Sequence, residues 1–166
     1  MRIISMAAAA GVAAIALAWA SAPLAAPEVA VTVGPRLGEQ ATATYGQREV
    51  EQLAATLQGD VERALARTGA YSDSRIELIL TDAKPNRPTA KQMADNPGLS
   101  FASFGVGGAR IEGRAVAPDG SVRSLSYSWY ETRINNAPYQ STWGDAEYAF
   151  DRFARELGKG VEVADR

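Results

Sequence analysis

Two stretches near the middle of the chain, Ala109–Ala117 and Ser121–Glu131, constrain its fold more than any other feature. Both alternate in polarity. In the second, Leu125, Tyr127 and Trp129 stand against Ser124, Ser126, Ser128 and Tyr130; in the first, Ile111, Gly113 and Ala115 stand against Arg110, Glu112 and Arg114. Period-two alternation marks strands with one buried face. For both apolar sets to share a face, odd positions must pair with odd. A three-residue loop Pro118-Asp119-Gly120, with Ala117 opposite Ser121, does this. Its residues also suit it: proline presets φ for a type I turn, and glycine takes the left-handed position of a G1 bulge. A two-residue Asp-Gly turn would slip the register and set Ile111 against Ser128. The expected hairpin therefore places Ala109, Gly113 and Ala115 beside Trp129, Leu125 and Tyr127, under an outer face of Arg, Glu and Ser.

Other segments must cover that apolar face. From Gln47, Val50, Leu53, Leu57, Val61 and Leu65 recur at helical spacing, with Ala54 and Ala64 widening the stripe and Gly69 as the stop. Near the other end, Thr142 is expected to cap a last helix, with Asp145 at the capping-box position. Trp143, Ala146, Phe150, Phe153 and Leu157 form its stripe, and Gly158 ends it. Glu28–Val33 and Arg75–Thr81 alternate as two further strands, and Gly34–Gly46 between the first strand and helix reads as a loop or crossover. Asp82–Gly108 reads as one long connection containing Pro85, Pro88 and Pro97, with a helical turn at Thr89–Ala94 signalled by the Thr89/Gln92 capping box. The order is β-α-β-long loop-β-β-α. The economical assembly is an α+β fold (an α/β two-layer sandwich): a mixed four-stranded sheet with two helices on one face. The crossover helix makes the first two strands parallel.

The amino terminus reads as an export signal. Arg2 is followed by an apolar run from Ile3 to Leu17 and by small residues Ala18-Trp19-Ala20-Ser21-Ala22. The expected division is a signal peptide at 1–20 (with a cut as late as 25 as the alternative), a single domain at 21–158, and a frayed tail at 159–166. A retained membrane anchor is the competing reading. It is disfavoured because the stretch is dominated by alanine and no basic cluster follows it. The leader predicts a periplasmic protein without an integral span after cleavage, and the absence of cysteine excludes a lipid-modified amino terminus.

That absence reaches further. With Cys 0 and His 0 the chain has no disulfide, no Ser-His-Asp or Cys-His relay and no zinc site of the His/Cys kind. A net charge of −2 gives no basic footprint for nucleic acid. Phe104-Gly105-Val106-Gly107-Gly108 is not a phosphate loop, because a strand follows it rather than a helix and the third fingerprint glycine is replaced by Arg110. Close backbone packing at a strand start is the better reading. Glu77, Glu112 and Glu131 are carboxylates on strands, available in principle for glycoside chemistry, but polar alternation turns Glu77 and Glu112 outward. No catalytic residue, cofactor or metal ligand is expected.

The aromatic residues allow two readings. Trp129, Trp143, Phe150 and Phe153 can form the core while Phe101 and Phe104 pin the loop. Alternatively, the loop residues and the strand end line a contact surface, for which Phe101, Phe104, Tyr130, Arg87 and Lys91 are the candidates.

Three segments carry a resemblance: Leu80-Thr-Asp-Ala-Lys-Pro-Asn-Arg-Pro-Thr89, the hairpin end Tyr127-Ser-Trp-Tyr-Glu131, and Ser141-Thr-Trp-Gly-Asp-Ala-Glu-Tyr-Ala-Phe-Asp-Arg-Phe153. Over most of the mature chain they resemble an uncharacterised family of exported proteobacterial proteins, a domain of unknown function. More distantly, the element order is similar to the amino-terminal domain of TolB-type envelope proteins, from which the long Pro-rich loop departs. The first resemblance implies no activity or ligand; the second implies a binding role by fold analogy. The expected function is thus a non-catalytic exported protein that binds a protein or glycan partner in the cell envelope. The alternatives are a carboxylate-based hydrolase of envelope glycans, or an assembly protein using an exposed sheet edge.

Overall fold

The computed structural model describes residues 26–160, apart from the side chains of residues 138 and 139. The expected signal peptide and most of the expected tail lie outside the described residues. Lys159 and Gly160, the first two residues of that tail, still donate backbone hydrogen bonds into the last helical turn.

Four strands, β1 (Glu28–Val33), β2 (Arg75–Lys84), β3 (Gly108–Val116) and β4 (Val122–Tyr130), form one mixed sheet in the order β1-β2-β3-β4. β1 and β2 are parallel and the other pairs antiparallel, as the crossover helix requires. The hairpin has the expected register. Val116 faces Val122, Ala117 N–H donates to Ser121 O (2.9 Å), and Gly120 has φ +82°. Ala109 does lie opposite Trp129 and Gly113 opposite Leu125. Tyr127, however, faces Ile111, and Ala115 faces Arg123, because partners in this register run in opposite directions along the two strands.

Helices cover one face of the sheet. α2 (Gln47–Thr68) buries Val50, Leu53, Ala54, Leu57, Val61, Ala64 and Leu65 and stops at Gly69, in the left-handed conformation. α4 (Gly144–Gly158) buries Phe150, Phe153 and Leu157 beside them, over Ile76, Leu78, Leu80, Ile111 and Leu125. Burying a phenylalanine fully stabilises the fold by about 1.5–3 kcal/mol, and Phe150 and Phe153 are fully buried. Trp143 belongs to this core, whereas Trp129 only packs against it from a half-buried position, edge-on to Tyr148.

Three segments differ from expectation. Gly34–Gly46 is helical: α1 (Pro35–Gln40) runs into a π-helical turn at Ala41–Tyr45, where Gly46 N–H reaches back to Ala41 O (2.8 Å). Pro35 presets the first helical φ, and Leu37 and Ala41, one turn apart, are its buried anchors. Two anchors in thirteen positions are too few to show a period. β2 runs on to Lys84 through a bulge between Leu80 and Asp82, so the connection to β3 is shorter than expected. Within it, α3 (Ala90–Asp95) starts at the expected capping box: Thr89 Oγ1 accepts from Gln92 N–H (3.2 Å), and Gln92 Oε1 accepts from Thr89 N–H (3.0 Å). Finally, Thr142 does not cap α4. The cap position is Trp143, with no side-chain bond, and Asp145 is turned inward.

Candidate functional site

Asp145 turns inward because a partner from the long loop claims it. Asn86 and Asp145 are each 1% exposed. Asn86 Nδ2 donates to Asp145 Oδ2 (2.5 Å) and Asn86 Oδ1 accepts from Asp145 N–H (2.9 Å). Gly107 N–H donates to the same carboxylate oxygen (2.9 Å). The backbone of Asn86 is tied down as well, donating to Thr142 O (2.8 Å) and accepting from Gly105 N–H (2.7 Å). Both ends of the loop are therefore fastened to the first turn of α4 by buried polar bonds. Such groups are costly to bury unless satisfied and rigid once they are.

Arg87 completes the brace. Its Nε donates to Gln140 O (2.8 Å), and its terminal nitrogen donates to Phe101 O. It is a strut for the loop rather than part of an exposed basic patch. Lys91 pairs with Asp95 one turn along α3 (2.8 Å). Short turns carry the loop between these fastenings: Leu99 N–H donates to Asn96 O (2.9 Å) and Ser103 N–H to Ser100 O (2.9 Å). They leave Phe101 69% and Phe104 48% exposed, with Leu99 exposed beside them. The phenylalanines do not pin the loop; the polar network does. A hollow of about 200 Å³, bordered by Pro85, Arg87, Pro88, Leu99 and Phe104, opens next to them.

Tyr130 does not share that hollow. It projects from the face of the sheet that, among the described residues, carries no helix. Leu80 and Ala83 are both buried on the helical side, so the bulge sets Thr81 and Asp82, the two residues between them, together on the bare side. Gly108, on β3 between β2 and β4, has no side chain, and a Cβ there would stand 2.6 Å from Tyr130 Cδ1. The ring lies across that gap and its hydroxyl donates to Asp82 Oδ2 (2.5 Å).

Burial, then the bond to Asp82, then that carboxylate's charge raise the Tyr130 hydroxyl pKa above its ordinary 10.0. A raised native pKa gives stability that is complete below pH 10.0 and lost as pH rises past it, since the unfolded chain releases the proton first. Tyr45 and Tyr127, also raised through burial, add to the same trend. We expect the alkaline fall in stability to be shallower for Tyr130→Phe than for the parent, as read from urea melts across that range. Identical slopes would mean that the Tyr130 hydroxyl is neither buried nor bonded to Asp82 in solution.

Two of the carboxylates that sequence placed on strands, Glu77 on β2 and Glu131 just past the end of β4, are held as anions by the donors around them. Glu77 is gripped by Arg114 (2.6 Å) and Arg75 (2.7 Å), and the Arg114 bond holds it below the usual carboxylate range. Glu131 accepts from Asn136 Nδ2 (2.9 Å) and from the N–H groups of Arg133 and Thr132 (2.8 Å each). Those bonds, Asn136 first, lower its pKa too. A glycosidase acid needs the opposite shift. Glu77, Glu112 and Arg114 line the broad concavity of the bare sheet face, about 810 Å³, alongside exposed Ile79 and Val122.

Sequence reasoning did not single out Asn86, Asp82, Arg36 or Leu99. The one local signal for Asn86 is an asparagine held between Pro85 and Pro88. Among the described residues, no helix is long and apolar enough to cross a membrane and no cluster of three or more acidic residues is placed to hold a metal ion.

No protein-family model and no curated protein matches the chain. Among solved structures, a minor lipoprotein from Acinetobacter baumannii is similar over 80% of this chain and 89% of its own, at 11% identity and a TM-score of 0.31. A likeness that low says nothing of this chain's activity.

Proposed function

We infer that this is an exported domain of the cell envelope that binds a protein or glycan partner, without catalysis, through the tip of the loop between α3 and β3. One observation carries the reading: Leu99, Phe101 and Phe104 are exposed on a loop whose two ends are locked by the buried Asn86–Asp145 pair. Exposed aromatic side chains on a surface loop mark contact sites. A loop ordered in advance does not lose that freedom again on binding. Leu99 and Phe104 beside Pro85 and Pro88 favour a protein partner over a glycan, because together they offer contiguous apolar area. The leader and the family resemblance support the periplasm as the compartment, and the lack of cysteine argues against a lipid anchor.

The test is affinity capture from envelope extract with the parent protein and with Phe101→Ser/Phe104→Ser as baits. We expect a partner retained by the parent to be lost, at least about tenfold, from the double variant, whose melting temperature stays unchanged. Equal retention by both baits would remove the loop from the interface.

A further inference from the structure

The bare face of the sheet also holds a smaller, polar hollow, separate from the loop. At the carboxyl ends of the parallel strands β1 and β2 lies this hollow of about 530 Å³ bordered by Gly34, Arg36, Thr81, Asp82, Arg110 and Tyr130, with Glu112 at its rim. The hollow also contains the bulge in β2, a device that re-aims side chains. Here it sets Thr81 and Asp82 side by side, with Asp82 opposite Arg110 on β3. Gly34 allows the close approach of the chain: its N–H donates to Leu80 O (2.9 Å), and a Cβ on it would stand 3.2 Å from Thr81 Cα.

The charges alternate rather than accumulate. Two guanidinium groups, Arg36 and Arg110, and two carboxylates, Asp82 and Glu112, border one opening, and Arg110 Nη1 stands 3.9 Å from Glu112 Oε1. Asp82 is oriented by the Tyr130 hydroxyl through one oxygen (2.5 Å), which leaves the other oxygen to accept. A simple anion placed there would meet Asp82, and a simple cation would meet the arginines. A ligand carrying both charges a short distance apart is repelled by neither. Guanidinium groups match a carboxylate in geometry as well as in charge.

We propose that this hollow binds the α-ammonium carboxylate of an amino acid, with the carboxylate on Arg36 and Arg110 and the ammonium on Asp82. The same group comes from a free amino acid or from an amino-acid end carried on a longer molecule.

The test is an NMR titration of the purified protein with three probes: alanine, Nε-acetyllysine and N-acetylalanine. Alanine stands for the free source. Nε-acetyllysine presents the same group on a tail, and N-acetylalanine keeps the carboxylate but not the ammonium. We expect alanine, Nε-acetyllysine or both to shift the amide signals of Arg36, Thr81, Asp82 and Arg110; the tighter binder identifies the source. N-acetylalanine should bind at least about tenfold more weakly than the better of them, the loss expected for one charge-assisted contact. Arg36→Gln, at an exposed position, should weaken the better probe by a similar factor while the rest of the spectrum stays unchanged, and Arg110→Gln should do the same. The proposal is overturned if no probe shifts these signals at millimolar concentration, if N-acetylalanine binds as well as alanine, or if both arginine variants bind like the parent.

Discussion

Asn86→Ala is expected to destabilise the protein by about 3–5 kcal/mol, far more than truncating a loop asparagine ordinarily costs. The substitution removes the Nδ2 and Oδ1 bonds to Asp145. It leaves a 1%-exposed carboxylate with the Gly107 N–H as its remaining bond. The cost is that of a buried charge stripped of its main donor rather than of one lost hydrogen bond. Urea denaturation measures it. Amide exchange should also accelerate at Gly105 and Gly107, since the ends of the loop lose their fastening. Because the two residues act as a unit, Asn86→Ala with Asp145→Ala should cost clearly less than the sum of the single changes. Additive costs would show that the pair is not coupled, and the locked loop behind the proposed contact surface would lose its foundation.

Gly113→Ala should cost about 3 kcal/mol or more, although it adds one methyl group. The added Cβ would stand 2.2 Å from Glu77 O, 2.9 Å from Leu78 Cδ2 and 3.0 Å from Leu78 Cα. Two of these neighbours belong to, or sit against, the backbone of the adjacent central strand, and Leu78 is fixed in the core. Neither can yield without opening the β2–β3 ladder, so the overlap falls at the upper end of overpacking costs. Gly105→Ala is the control. A Cβ there meets nothing within 4 Å, and the change should stay within about 0.5 kcal/mol. Midpoints of chemical denaturation at unchanged slope compare the two. Near-equal midpoints would mean that the sheet relaxes around the new methyl group and that the close approach of β2 to β3 is not a constraint.

The candidate contact surface was partly legible in sequence. Phe101 and Phe104 stood out as aromatic residues in a long polar connection, and their exposure in the structure keeps them as contact candidates. Arg87 stood out for its charge, but its guanidinium is spent on the carbonyls of Gln140 and Phe101. A side chain's charge is written in the sequence, whereas the group that takes it up is not. Sequence groups Tyr130 with the loop as the end of the hairpin strand, over which the loop could fold. Instead, its ring crosses Gly108 to reach Asp82, two strands away.

What sequence alone determined is what neighbours along the chain decide. The register of the hairpin follows from Pro118-Asp119-Gly120 and the parity of the flanking residues. The buried face of α2 follows from a stripe repeated at helical spacing, and the start of α3 from two side chains three residues apart. Each rests on interactions that close within a turn or a strand pair, so the pattern and its physical cause lie in the same short segment. Only the tertiary structure decided the rest. Asp145 held the right position for a capping box, yet it was claimed by Asn86, 59 residues away in the chain. The bulge in β2 lets Ala83 face Ala109 as Leu80 faces Ile111, and it is what brings Asp82 within reach of Tyr130. α1 is held by only two buried anchors, Leu37 and Ala41, in the assembled core. A buried polar group takes whichever partner the assembled fold brings to it, and no spacing along the chain records which one that will be.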